Sequence, residues 1–78
     1  MSRRESEAHV LAEIGRRVRE ARLRAELSQE TAASRAEIDT KRWQRLESGK
    51  VNATVRTLTR AAHAIGVSVW ELLRAESP

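Results

Sequence analysis

The stretch LSQETAASRAEIDTKRWQRLESGKVN, residues 27–52, decides the fold of this chain. Ser28 and Asp39 are residue types that cap helix N-termini, and a helix-forming run follows each of them. Gly49 suits the left-handed position that ends a helix. The stretch therefore predicts two short helices joined by a tight corner, together covering about residues 28–48.

The sequence on either side of this stretch also has helical periodicity. A first helix is expected from about Glu5 to Ala25, a fourth from the cap Thr54 to Gly66, and a fifth after the capping box Ser68–Glu71. No segment predicts a strand, so we expect an all-α fold of five helices. Apolar side chains recur at helical spacing, namely Leu11, Ile14, Val18, Ala21 and Ala25 in the first helix, Trp43 and Leu46 in the third, Val55, Leu58, Ala61, Ala62 and Ile65 in the fourth, and Val69, Leu72 and Leu73 in the fifth.

Composition limits the classes of function. Residues 1–78 suffice for one small domain, and the chain has no cysteine and two histidines, so we expect no disulfide, metal site or cofactor. The apolar runs are too short to cross a membrane, which favours a cytoplasmic protein. The formal net charge is +4, yet residues 41–60 alone carry six cations against Glu47, a net charge of +5. Such an excess suits a polyanionic partner, although an ordinary solvated face is the more common origin of surface charge.

Several short motifs, taken in order, resemble the phage-repressor helix-turn-helix family of the Cro/CI (XRE) type. The resemblance covers about residues 14–73 without a gap, and the joint order of the motifs carries more weight than any one of them. It implies a compact five-helix, lambda-repressor-like domain that binds DNA. The motifs are Leu27-Ser28-Gln29, Ala33 where the two short helices meet, Leu46-Glu47-Ser48-Gly49-Lys50-Val51-Asn52, Thr57-Leu58, and Ala64-Ile65-Gly66-Val67-Ser68-Val69-Trp70-Glu71-Leu72.

The chain departs from the family pattern in several places. Glu26 and Glu37 stand where the family usually has glycine, so either each adopts φ > 0 at a cost of about 1 kcal/mol or the corner is reshaped. Ala32 replaces a usual leucine and Trp43 a medium aliphatic residue, and we expect these two changes to compensate in volume. Ala53 replaces a common proline, so the loop before the fourth helix is expected to be looser.

The third helix carries the residues expected to read DNA. A recognition helix presents its first turn and one exposed stripe to base edges, and with Asp39 as cap these positions are Thr40, Lys41, Gln44 and Arg45. Lys41 and Arg45 favour guanine O6 and N7, and Gln44 suits adenine N6 and N7. Without the resemblance, these side chains would be interpreted as an ordinary solvated face. Phosphate contacts are expected from Gln29, Arg42, Ser48, Lys50, Asn52 and Arg56.

Other residues are expected to hold the helices of one chain together or to form a dimer interface. The resemblance implies an ion pair between Arg22 and Glu47, which would fix the third helix against the first; the alternative is two unrelated surface charges. Trp70 stands where the family usually has a polar residue. It is expected either to form a dimer interface with Val69 and Leu73, or to fold back over the first helix and complete the core.

These observations favour a sequence-specific transcription regulator that binds double-stranded DNA. It is expected to bind a pseudo-palindromic operator as a homodimer, with residues 39–48 in the major groove. Family members of this length include phage repressors, restriction-modification controller proteins and antitoxins, and Asp39 together with residues 52–58 leans towards the controller proteins. The alternative is an antitoxin that masks a toxin through protein contacts at Trp70 and Leu23. An enzyme is not expected, because the sequence has no Gly-rich phosphate loop and no His–carboxylate constellation.

Overall fold

Five α-helices follow one another through residues 6–73, the part of the chain that the computed structural model describes. No strand occurs within these residues. The prediction of an all-α, five-helix fold is therefore confirmed. The helices are α1 (Glu7–Arg24), α2 (Gln29–Ala36), α3 (Thr40–Ser48), α4 (Val55–Ile65) and α5 (Val69–Leu73).

Side-chain caps set the starts of the three helices in the middle of the chain. Ser28, Asp39 and Thr54 each accept a hydrogen bond from the backbone N–H three residues later, at 3.0, 2.8 and 3.1 Å. Such a bond satisfies one of the N–H groups that the first turn of a helix leaves without a partner. All three caps were predicted, because the interaction is local and depends only on residue type and spacing.

Among the described residues, the first helix begins at Glu7 and ends one residue before the predicted end at Ala25. Ser6 caps it by accepting a hydrogen bond at 3.1 Å, so α1 begins at Glu7; the predicted start, Glu5, lies outside the described residues. At the other end the helix stops at Arg24. Ala25, expected on the apolar stripe, is instead the exposed residue after the helix, because the stripe ends with the last helical turn.

Two glutamates adopt the left-handed conformation that the resemblance implied. Glu26 has φ 60° and Glu37 has φ 62°. The corner after α2 keeps its hydrogen bonds, since the N–H of Ile38 donates to the carbonyl of Ala33 at 3.0 Å. The corner is therefore strained rather than reshaped, and each glutamate costs about 1 kcal/mol relative to glycine. Gly49 ends α3 at φ 73°, as predicted.

The core is built from a few large side chains and many alanines. Trp43, Leu72 and Val18 are the largest completely buried side chains. Ala32 is also completely buried, as the proposed volume compensation with Trp43 requires. Val55 corrects the prediction for α4: it is 72% exposed, because at the first turn of the helix no described element covers its side chain.

The fifth helix begins with a weaker cap than predicted. The Oγ of Ser68 accepts a hydrogen bond from the N–H of Trp70 at 3.2 Å, whereas a capping box uses the N–H of the next residue, Glu71. The N–H of Glu71 donates instead to the carbonyl of Ser68 at 3.0 Å. A backbone turn thus replaces the capping box at this end.

Helices α1 and α4 join the other helices into one unit, and α4 packs on α5 as well as on α1 and α2. Helix α1 packs on α3, α4 and α5, whereas α2 packs on α3 and α4. Val51 and Ala53, in the connection between α3 and α4, pack against the core and anchor that loop. The looser loop expected from Ala53 stays a prediction. No helix within residues 6–73 is long and apolar enough to span a bilayer.

Candidate nucleic-acid interface

Helix α3 has one face in the core and one face in solvent. Trp43 and Leu46 are buried, whereas Lys41, Gln44 and Arg45 are exposed. Residues three and four apart in a helix share a face, so positions 41, 44 and 45 form one polar surface. The structure thus brings three of the four expected base readers together on an accessible surface.

The fourth expected base reader, Thr40, lies differently. It is half-buried at the first position of α3, directly after the cap Asp39. The side chain of Arg42, on the same turn, is exposed. Thr40 therefore offers less contact surface than its position in the sequence suggested, while Arg42 is free to reach a phosphate beside the helix.

The carboxylate of Glu47, in the last turn of α3, is a hub of hydrogen bonds. Arg22 of α1 donates from Nε to Oε2 at 2.5 Å and from Nη2 to Oε1 at 3.1 Å. Gln29 donates from Nε2 to Oε1 at 3.0 Å, and Trp43 donates from Nε1 to Oε2 at 2.6 Å. Nη1 of Arg22 also donates to the carbonyl of Leu27 at 2.9 Å. Helices α1, α2 and α3 meet at this one carboxylate.

The ion pair at this hub is withdrawn from solvent. The side chains of Arg22 and Glu47 are only 9% and 4% exposed. Burial raises the pKa of Glu47, but the hydrogen bonds from Arg22, Gln29 and Trp43 and the charge of Arg22 outweigh this effect, so the pKa lies below its ordinary value. The carboxylate is therefore ionised near neutral pH and holds its donors in a fixed arrangement.

Gln29 joins this hub to the exposed face of α3. Its Nε2 donates to Glu47, and its Oε1 accepts a hydrogen bond from Nε2 of Gln44 at 3.3 Å. Gln29 was expected to contact phosphate, and the structure adds a part that the sequence did not indicate, which is to orient the amide of Gln44. The only hint in the sequence was that Gln29 and Glu47 both belong to the family motifs.

Close contact between α1 and α3 depends on a glycine, Gly15, that was not among the predicted site residues. A Cβ added to Gly15 would lie 2.5 Å from the carbonyl oxygens of both Leu46 and Glu47. Gly49 makes a similar approach, since its added Cβ would lie 2.7 Å from the Cα of Ala12. These contacts seat the C-terminal end of α3, and hence the hub, directly on α1. A glycine inside a helical stretch was the available signal.

The residues expected to contact phosphates lie in α2, in α3, in the loop after α3 and at the start of α4. Ser48 is exposed, but its hydroxyl donates to the carbonyl of Arg45 at 3.1 Å. While that bond is made, the hydroxyl can accept a further hydrogen bond but cannot donate one to a phosphate. Gln29 is half-buried. The exposed members of the set are Arg42, Ser48, Lys50, Asn52 and Arg56.

Helix α5 presents apolar surface to solvent. Trp70 is 73% exposed, so the alternative in which it folds back over α1 is wrong. Leu73, three residues later, is also exposed and shares a helix face with Trp70. Val69 is half-buried and packs against the core, as does the buried Leu72 on the same side of the helix. Among residues 6–73, no group of side chains is arranged to hold a metal ion.

Comparisons with known proteins agree on the fold. Residues 13–75 match the model of a helix-turn-helix domain family. The restriction-modification controller protein C.AhdI from Aeromonas hydrophila shares 32% sequence identity, with a TM-score of 0.77 over 80% of this chain and 94% of that chain. None of the curated protein sequences is a significant match.

Two further solved structures share the fold at lower identity. The clp gene regulator ClgR from C. glutamicum is 22% identical, with a TM-score of 0.79 over 82% of this chain and 83% of that chain. The controller protein C.Esp1396I is 24% identical, with a TM-score of 0.77 over 88% of this chain and 90% of that chain.

Proposed function

This chain belongs to the helix-turn-helix family of DNA-binding transcription regulators, and we propose that it binds a pseudo-palindromic operator as a homodimer, with α3 in the major groove. Its family and its structural neighbours are regulators of transcription and not enzymes. The observation that carries the proposal is the exposed face of α3, formed by Lys41, Gln44 and Arg45. The C-terminal end of this helix is held to α1 and α2 by the hydrogen bonds of Glu47.

Base reading follows from the chemistry of that face. Lys41 and Arg45 donate to guanine O6 and N7, and Gln44 pairs with adenine N6 and N7. One N–H of the Gln44 amide is engaged by Oε1 of Gln29. The amide retains a second N–H and its oxygen, which are the groups that a bidentate adenine contact needs. Gln29 thus holds Gln44 in the orientation for reading before DNA arrives.

Phosphate contacts would position the exposed face of α3 on the DNA but would not specify the base sequence. Arg42, Lys50 and Arg56 supply exposed cations, and Asn52 supplies an exposed amide. The backbone N–H groups at the start of α2, beside Gln29, are suited to a phosphate oxygen because they lie at the positive end of a helix dipole. Ser48 has the weakest support among the phosphate contacts, since its hydroxyl donates to its own helix, and Thr40 has the weakest support among the base contacts, since it is half-buried.

A homodimer would place two copies of α3 on neighbouring half-sites. Trp70 and Leu73 expose apolar surface on α5 that a second copy of the same helix would cover in an isologous contact, and Val69, which packs against the core, contributes only its exposed edge. Two-fold symmetry then sets the recognition helices about 34 Å apart, one turn of DNA. The exposure of Trp70 supports this interface.

We further propose that the chain acts as a restriction-modification controller protein. The support is the 32% identity with C.AhdI over 80% of this chain. The antitoxin alternative rests on exposed Trp70 and Leu23 alone, and none of the neighbours named above is an antitoxin. A restriction endonuclease or methyltransferase gene beside this one would favour the controller role, and a toxin gene would favour the alternative.

Selection of bound sequences from a random DNA pool tests the central proposal. We expect enrichment of a pseudo-palindrome with guanine and adenine contacts in each half-site. Affinity for the selected operator should fall linearly with salt on a double-logarithmic plot, because each phosphate contact releases counterions. No enrichment, or an affinity that salt does not change, would contradict DNA reading by this face.

A further inference from the structure

A cleft of about 580 Å³ lies between the C-terminal end of α2 and one side of α4. Arg35 in α2 and Glu37, which follows the last residue of α2, carry the charge on one side. Arg56 and Arg60 in α4 carry the charge on the other side. His63 extends the same side of α4 towards its C-terminal end. We refer to this surface as the α2–α4 cleft. Of these residues, only Arg56 was expected to contact phosphate.

The arginines of the α2–α4 cleft differ from Arg16 and Arg22 of α1, which pair with carboxylates. On α1, Arg16 pairs with Glu20 at 2.7 Å. Within residues 6–73, the side chains of Arg35, Arg56 and Arg60 have neither an ion-pair nor a hydrogen-bond partner. Three guanidinium groups thus line one concave surface against the single carboxylate of Glu37.

The placement of these cations opposes the local preferences of a helix. Arg56 lies in the first turn of α4, at the positive end of the helix dipole, where no acidic residue accompanies it. Arg60 follows four residues later on the same face, so the two like charges repel. Both features are unfavourable in the free protein, and an anion held in the cleft would relieve them.

We propose that the α2–α4 cleft binds the phosphate backbone of DNA that flanks the operator half-site. The inference rests on the proposed function, and Arg56 connects the two, because it is both an expected phosphate contact and part of the cleft lining. From Arg56 the basic side of α4 continues to Arg60, and Arg35 faces it from α2. Guanidinium groups match phosphate oxygens in paired hydrogen bonds. The footprint on DNA therefore extends beyond the bases that α3 reads.

The test compares two duplexes, one ending at the selected operator and one with about 10 further base pairs on each side, roughly one turn. Wild-type protein should bind the longer duplex more tightly, roughly tenfold at low salt. The double variant Arg35→Gln/Arg60→Gln should lose this gain and keep its affinity for the short duplex. Arg56 is left unchanged because the proposed function also uses it.

A matched control separates the cleft from overall charge. The double variant Arg19→Gln/Arg24→Gln loses the same charge from exposed positions of α1 that do not line the cleft. It should retain the gain from the flanks. A longer duplex with uncharged methylphosphonate linkages in its flanks should bind wild-type protein like the short duplex.

Several outcomes would overturn the proposal. Equal affinity of wild-type protein for both duplexes, or equal loss of affinity for both in the cleft variant, removes the flanking contact. A melting temperature that inorganic pyrophosphate raises in wild-type protein and not in the cleft variant, with no effect of duplex length, assigns the cleft to a free phosphate compound instead. Failure of wild-type protein to bind either duplex counts against the proposed function and not against the cleft alone.

Discussion

The carboxylate of Glu47 accepts hydrogen bonds from the N–H groups of Arg22, Gln29 and Trp43. Because all its partners are donors, only a side chain that accepts at both positions can replace it without loss. An amide in its place would turn an N–H group towards one of these donors. It would also leave the charge of Arg22, which is buried, without a counter-charge. The residue therefore acts on the position of α3 rather than on DNA directly.

Glu47→Gln should destabilise the protein by about 3 kcal/mol at neutral pH, the cost of breaking a buried pair. The pKa of Glu47 is lowered in the folded protein, so its stabilising contribution is complete above the unfolded pKa of about 4.3 and is lost as pH falls through the folded pKa. The gap in stability between wild type and variant should thus shrink on acidification below about pH 4. Urea unfolding followed by circular dichroism measures this gap.

The control for this prediction is Glu30→Gln, which removes an exposed carboxylate from the first turn of α2. It should change stability by a few tenths of a kcal/mol, through the helix dipole alone. A gap between wild type and Glu47→Gln that stays constant with pH would show that the ionised hub does not contribute as described.

Substitutions of residues that contact bases and of residues that contact phosphates should differ in their effects on sequence specificity. Lys41→Ala or Gln44→Ala should relax the preference at one or two operator positions, at roughly 1–3 kcal/mol each. Lys50→Ala, the comparison, should weaken binding to all sequences alike and reduce the salt slope by about one. Binding measurements on single-base operator variants at several salt concentrations distinguish the two patterns. Equal effects of all three substitutions on every sequence would remove the assigned roles.

At the scale of helices, the contact between α1 and α3 sets the position of the exposed face of α3. Gly15 lets the backbone of α1 approach the carbonyl groups of Leu46 and Glu47. The neighbouring atoms belong to the backbone of another helix, so a larger side chain cannot be accommodated by rotation of a flexible group. A small displacement here would carry the whole of α3 with it.

Gly15→Ala should lower stability by about 2 kcal/mol and also weaken operator binding. Alanine favours the helix by about 1 kcal/mol over glycine, but the clash with α3 outweighs this gain. Gly66→Ala is a matched control, because φ is 78° there and no atom would contact the added Cβ. It should cost about 1 kcal/mol of stability and leave operator affinity unchanged when the protein is folded. Unaltered operator affinity in Gly15→Ala would show that α1 does not set the position of α3.

At the scale of the whole molecule, one helix reads too few base pairs to select a site among many. A two-fold dimer solves this by presenting two reading faces one DNA turn apart. The exposed side chains of Trp70 and Leu73 on α5 are the centre of the proposed contact, whereas Leu72 and most of Val69 hold α5 to the core. We therefore expect the proposed dimer and the folding of the chain to depend on different side chains of the same short helix.

Trp70→Glu should convert the dimer to a monomer and sharply weaken operator binding, because the charge would be buried in an apolar contact. Helix content should stay nearly unchanged, since Trp70 is largely exposed in the folded chain. Sedimentation velocity and circular dichroism measure the two effects. Leu23→Glu, at an exposed position on α1, is the control and should remain dimeric. Dissociation by Leu23→Glu instead of Trp70→Glu would move the interface to α1.

Local features of this molecule were predictable from the sequence. The caps Ser28, Asp39 and Thr54 involve residues a few positions apart, so residue type and spacing are sufficient. The left-handed turns at Glu26 and Glu37 were one of two alternatives raised by the family resemblance, since glutamate itself disfavours φ > 0. The helix-turn-helix family followed from the order of such local signals. The exposed face of α3 was predictable for the same reason, because helical periodicity separates Lys41, Gln44 and Arg45 from the buried Trp43.

Other features came only from the way the helices pack. The bridge from Gln44 through Gln29 to Glu47, the close approach at Gly15 and the α2–α4 cleft each join residues of different helices. The exposure of Val55 and Trp70 also depends on which neighbouring helix reaches them. Periodicity assigns a residue to a face of its own helix, but it carries no information on the distance or angle at which a second helix lies. Those are set by the packing of all the helices together, and so these contacts could be known only from the tertiary structure.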